Sequence, residues 1–177
     1  MANVLILSSS PRKGGNSDVL CDAFAKGAFA AGHAVRKVRI AEKKIGYCQG
    51  CYACRKLNHC IQQDDAAELL EAMKAADVIV FASPVYFYSV SAQLKTVFDR
   101  TVAIFPTLTN KAYYFLMTMA DDEAANAAGT IQAMQGFLDC YDGSTLRGTL
   151  VAPGVYERGD VVKTPYVEQA YQLGRTV

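Results

Sequence analysis

The chain carries almost no net charge. Its 18 Lys and Arg stand against 17 Asp and Glu over 177 residues. A nucleic-acid binder would show a basic stripe, so this balance argues against one. Disorder requires low hydrophobicity and high net charge, yet 51% of the residues are apolar. No apolar run approaches the roughly 18 residues of a membrane helix. The opening Met1-Ala2-Asn3-Val4-Leu5-Ile6-Leu7 lacks a basic flank, and its apolar run is too short for a signal-peptide core. Repeats, low-complexity tracts and linkers are missing. There is no G-x-G-x-x-G and no G-x-x-x-x-G-K-[ST], which disfavours a classical dinucleotide fold and a nucleoside triphosphatase. A Cys-x5-Arg phosphatase loop is excluded too, because Cys140 and Arg147 are spaced too widely. What remains is one domain over 1–177 with room for a cofactor-sized ligand. Its expected setting is the cytoplasm, where thiols stay reduced.

Short β-rich runs alternate with helical stretches. Val4–Leu7, Val78–Phe81 and Tyr113–Met117 are continuous apolar runs, as strands buried on both faces should be. Val35–Ile40 is more charged and suits a sheet edge. A weaker strand is expected near Leu146–Val151. Leu20, Phe24, Gly27 and Ala31 mark one helix face from Ser17, closed by Gly32. Further helices are predicted after Asp64-Asp65, over Leu94–Val102, from about Asp122 to Tyr141, and from about Thr164 to the end. Five β-α units imply a doubly wound parallel sheet of order 2-1-3-4-5. Ligands of such sheets bind beyond the carboxyl ends of the strands, which directs attention to three loops.

The loop Ser8-Ser9-Ser10-Pro11-Arg12-Lys13-Gly14-Gly15-Asn16-Ser17 combines hydroxyls, glycines, cations and a helix start. A terminal phosphate is its natural occupant; an ordinary strand-to-helix turn is the alternative. Ala82-Ser83-Pro84-Val85-Tyr86-Phe87-Tyr88 places three adjacent aromatics at a mouth. They suit a flat heteroaromatic ligand or subunit packing. Together with Ser91-Ala92-Gln93-Leu94-Lys95 and Phe98-Asp99-Arg100, these loops resemble the NAD(P)H-dependent FMN reductases of the flavodoxin-like superfamily.

The resemblance implies an α/β flavodoxin-like three-layer sandwich. It also implies that Ser9, Ser10, Arg12, Asn16 and Ser17 hold the FMN phosphate. Pro84, Val85, Tyr86 and Phe87 would support the isoalloxazine, with Thr118, Met119 and Ala120 on its other side. The implied activity is hydride transfer from NAD(P)H to FMN. Electrons then pass to a small acceptor: a quinone, nitro or azo compound, flavin or metal ion. Hydride transfer needs no side-chain acid or base, so no catalytic residue is named. A homodimer or higher homo-oligomer is expected.

A Cys-rich insertion at about 44–63 holds Cys48, Cys51, Cys54 and Cys60, spaced C-x2-C-x2-C-x5-C. Four thiolates at such spacing can bind a [4Fe-4S] cluster, and the stretch resembles iron–sulfur flavoproteins of the same superfamily. Bare thiols and zinc are the alternatives. The cluster would make the chain an electron-transfer module; a flavodoxin-like interaction protein without enzymatic activity is a third reading. Cys21 and Cys140 read as core residues within helical patterns, and His33 and His59 as surface residues.

Overall fold

The continuous apolar run at the start forms β1, Asn3–Ser8, with every residue after Asn3 buried. The structure, a computed structural model, describes residues 1–177. β2 spans Ala34–Arg39, β3 Val78–Pro84, β4 Ala112–Thr118 and β5 Thr145–Ala152. All four pairings are parallel, in the order β2-β1-β3-β4-β5. The predicted order is therefore the observed one, with the charged β2 at an edge.

Alternation along each strand splits the core in two. Leu5, Leu7, Ile79, Phe81, Tyr113 and Phe115 face one layer, built from α3 (Ala66–Ala75), α4 (Ala92–Arg100) and α5 (Ala128–Leu138). Val4, Ile6, Val78, Val80, Tyr114 and Leu116 face the other, built from α1 (Asn16–Ala30) and α6 (Tyr166–Gly174). A four-residue helix, α2 (Cys54–Leu57), sits in the Cys-rich segment.

Helix α1 ends as its sequence predicts. Gly32 takes a φ of +90°, and the His33 amide reaches back to the Ala28 carbonyl at 3.1 Å. Against α1 lies α6, at unusually close range. A Cβ built on Gly27 would stand 2.0 Å from the Tyr171 carbonyl oxygen, and one on Gly174 would stand 2.2 Å from that of Phe24.

Three expectations need correction. The helix predicted from Asp122 begins at Ala128, after a 3₁₀ turn at Ala124–Ala127. Asp121 explains the delay: its carboxylate accepts from the Glu123 amide and the Asn126 side chain, which stabilises a turn instead. The last helix begins at Tyr166, after a 3₁₀ turn at Asp160–Lys163 and then Pro165. Cys140 is exposed beyond the end of α5, whereas Cys21 is fully buried as expected. Burial pushes the Cys21 thiol up to about 12.

Candidate functional site

The carboxyl ends of β1, β3, β4 and β5 surround one cleft of about 140 Å³. Its floor begins with the loop after β1. No side chain caps α1, whose extended N-cap is Gly15, so the first amides of the helix lack intrahelical partners, and its first two residues, Asn16 and Ser17, line the cleft. Ser10 receives the Arg12 amide at 3.3 Å. Arg12 reaches across to the Tyr156 carbonyl at 3.0 Å, with its guanidinium 5.8 Å from the Tyr156 ring centre. Asn16 is tied to the loop after β5: it donates to the Glu157 carbonyl and accepts from the Gly159 and Val161 amides. Ser17 pairs with Thr118 at 2.6 Å between hydroxyls.

Ser9 departs from expectation. Its hydroxyl is fully buried, donates to the Ala82 carbonyl and accepts from Ser91, each at 2.8 Å. It braces the loop against β3 and the start of α4 and does not line the cleft.

Pro84, Val85 and Tyr86 also line the cleft, as do Thr118, Met119 and Ala120 from the end of β4. The Val85 amide donates to the Thr118 carbonyl at 2.8 Å, which fixes the two loops to each other. Tyr86 and Ser89 exchange two backbone hydrogen bonds of 3.0 Å. Between them, Phe87 and Tyr88 have φ of +48° and +57°. That two-residue turn holds Phe87 entirely in solvent, outside the cleft, so the expected shelf of aromatics is Tyr86 alone. Tyr88 donates to Asp121 at 3.1 Å, and the carboxylate raises the pKa of the phenol.

Ten of the twelve residues expected to bind the cofactor thus line one cleft. Val155 and Tyr156 line it too and were not foreseen. The same rule that singled out the loops after β1, β3 and β4 applies to the end of β5, where they lie.

Beneath the first loop sits a charged knot. Asp18, 6% exposed, accepts from the Gly14 amide (2.9 Å), Ser8 (3.0 Å), Lys37 (3.1 Å) and Arg39 (2.6 Å). Burial alone would raise its pKa, but the Gly14 amide and Lys37 hold it below the usual carboxylate value. The loop is fastened from below before any ligand arrives.

The four cysteines expected as metal ligands also meet, in a separate cavity of about 300 Å³. Cys48, Cys51, Cys54 and Cys60 all line it, with Arg100 at the end of α4 and Val102 in the 3₁₀ turn that follows. None forms a disulfide. The set of four soft sulfur donors around one cavity fits a thiolate-bound cluster in kind. Their directions do not yet match it: no three Cys, His, Asp or Glu side chains converge as a metal-binding group. Cys54 points toward the Val102 carbonyl at 3.9 Å and Cys60 accepts from Arg100 at 3.4 Å. The expected ligand set is therefore gathered but not closed.

Several known proteins resemble this chain. An iron–sulfur flavoprotein of Archaeoglobus fulgidus is 43% identical over 104 residues, which are 58% of this chain and 47% of that one. The chain spans about half the length of the curated relatives it matches most strongly. Among solved structures, an NAD(P)H:quinone oxidoreductase from Methanothermobacter marburgensis superposes with a TM-score of 0.77 at 19% identity, covering 99% of this chain and 95% of that one. An azoreductase from Bacillus anthracis gives 0.77 at 17% identity, with full coverage of both chains. At such identities the likeness concerns the fold, which is the flavodoxin-like one. Residues 2–156, which include every residue that lines the cleft, match a single family. The chain belongs to the NADPH-dependent FMN reductase family.

Proposed function

We propose that the chain is an FMN-dependent oxidoreductase that takes a hydride from NAD(P)H and passes electrons to a small acceptor such as a quinone, a nitro or azo compound, free flavin or a metal ion. The observation that carries this reading is the convergence of the loops after β1, β3, β4 and β5 on one cleft. Bound FMN would supply hydride acceptance and delivery, chemistry that no side chain offers. The protein's part is to bind and orient. Ser10, Arg12, Asn16, Ser17 and the first amides of α1 take the phosphate, with Arg12 leaving the Tyr156 carbonyl to do so. Pro84, Val85 and Tyr86 hold one edge of the ring, and Thr118, Met119 and Ala120 the other. Ser9 and Phe87 act from outside the cleft. The solvent-facing Phe87 and Tyr88 support a homodimer. The free thiols favour a cytoplasmic setting.

A second reading rests on the cysteine cavity. Four thiols around one space, and curated relatives called iron–sulfur flavoproteins, support a [4Fe-4S] cluster on Cys48, Cys51, Cys54 and Cys60. It would add one-electron exchange with a redox partner.

Absorption spectra of anaerobically purified protein test both. Two flavin bands in the near-ultraviolet and blue are expected, with nicotinamide oxidation that depends on added acceptor. A broad shoulder bleached by dithionite, with iron and sulfide in the protein, is expected for the cluster. A colourless protein that binds no added FMN overturns the first reading.

A further inference from the structure

Arg100 has the largest side chain buried to this degree in the molecule, 1% exposed. Its partners come from both ends of the cysteine loop. Nη1 donates to the Gly46 carbonyl and to Asp64 Oδ2, both at 2.7 Å. Nη2 donates to Asp64 Oδ1 at 3.0 Å and to the Cys60 sulfur at 3.4 Å. Asp64 closes the same knot from the other side, accepting from the Gly46 amide at 2.9 Å and the Ala66 amide at 3.0 Å. One guanidinium and one carboxylate thus join residue 46 to residues 60–66 and shut the segment that carries all four cysteines.

This knot is short of acceptors. Nε of Arg100 is buried and has no hydrogen-bond partner. One of the four terminal N–H groups goes to a thiol sulfur, a weak acceptor when neutral. An arginine held this deep is costly unless its donors meet strong acceptors. A negatively charged, sulfur-rich group in the adjoining cavity would supply them.

We propose that Arg100 is the positioning residue of the cysteine loop: it clasps the loop shut and donates an N–H to the sulfur of Cys60, raising the reduction potential of a cluster bound there. This rests on the cluster reading above. A positive charge and a hydrogen bond to a ligand sulfur both favour the reduced, more negative form.

The test uses the FMN-containing protein and the variants Arg100→Gln and Arg100→Lys. Flavin content and far-ultraviolet circular dichroism report folding; Arg100→Lys, which keeps charge and most of the bulk, carries the test if Arg100→Gln does not fold. Amide hydrogen exchange of residues 46–64 is expected to speed up about tenfold or more in either variant, with β3 and β4 unchanged. In protein loaded with iron and sulfide, Arg100→Lys is expected to lower the cluster's midpoint potential. A tenfold shift in the oxidised-to-reduced ratio corresponds to about 59 mV for one electron. Unchanged exchange overturns the clasp, and an unchanged potential in iron-loaded protein overturns the sulfur contact. If the parent chain takes up no iron at all, the cluster reading and the effect on its potential are overturned, while the exchange measurement still decides the clasp.

Discussion

Arg12 is held in place by a carbonyl, not by a carboxylate, and a phosphate is the stronger partner for a guanidinium. Arg12→Ala should therefore weaken FMN binding by about 1.5–3 kcal/mol, or roughly 10- to 150-fold in Kd. Riboflavin, which lacks the phosphate, should bind the variant and the parent alike. Titrations followed by flavin fluorescence check both; an equal loss for the two ligands would mean that Arg12 acts on the shape of the loop. Arg12 was readable from the chain because a cation beside glycines and hydroxyls at a helix start has a short menu of roles. Ser9 was not, because its partners, Ala82 and Ser91, lie more than 70 residues away in the sequence. Arg100 was visible as part of a motif, but its partner Asp64 is 36 residues off and nothing local marks it as buried.

Helices α1 and α6 show which of two local effects prevails. Helix propensity favours alanine over glycine by about 1 kcal/mol in a helix interior. At Gly27, however, the added methyl would fall 2.0 Å from the Tyr171 carbonyl oxygen, and backbone cannot step aside as a side chain can. Gly27→Ala should destabilise the fold by about 3 kcal/mol, because the helices must part to admit it. Urea unfolding checks the size, and a stabilised variant would show that the helices separate freely. The strands were legible because parallel strands buried on both faces read as unbroken apolar runs: Val78–Phe81 and Tyr113–Met117 needed only extension at their ends. The start of α5 was misread because acidic residues serve turns as well as they serve helix starts, and Asp121 chose the turn.

The protein as a whole should be acid-labile for an identifiable reason. Asp18 and Asp64 both have native pKa values below the usual carboxylate value, despite the opposing effect of burial. Asp18 is held there by the Gly14 amide and Lys37, and Asp64 by Arg100. Their stabilisation is complete above the unfolded pKa of about 3.9, and it is lost as pH falls through the lower native values. The urea midpoint should therefore drop below about pH 4. Asp18→Asn should cost about 2–3 kcal/mol at neutral pH, and that difference should vanish in acid, where the parent carboxyl is itself protonated. A gap that persists at low pH would place the effect in packing. Against a total stability of about 5–15 kcal/mol, the tip between Tyr86 and Ser89 is a conspicuous choice. Two bulky aromatic residues there hold left-handed backbone, at a cost of order 1–3 kcal/mol each, where Asn-Gly would form the same two-residue turn without strain. A chain shaped for folding alone would carry Asn-Gly at 87 and 88. Natural variation that relaxes this tip should therefore give sturdier proteins that have lost whatever Phe87 and Tyr88 touch.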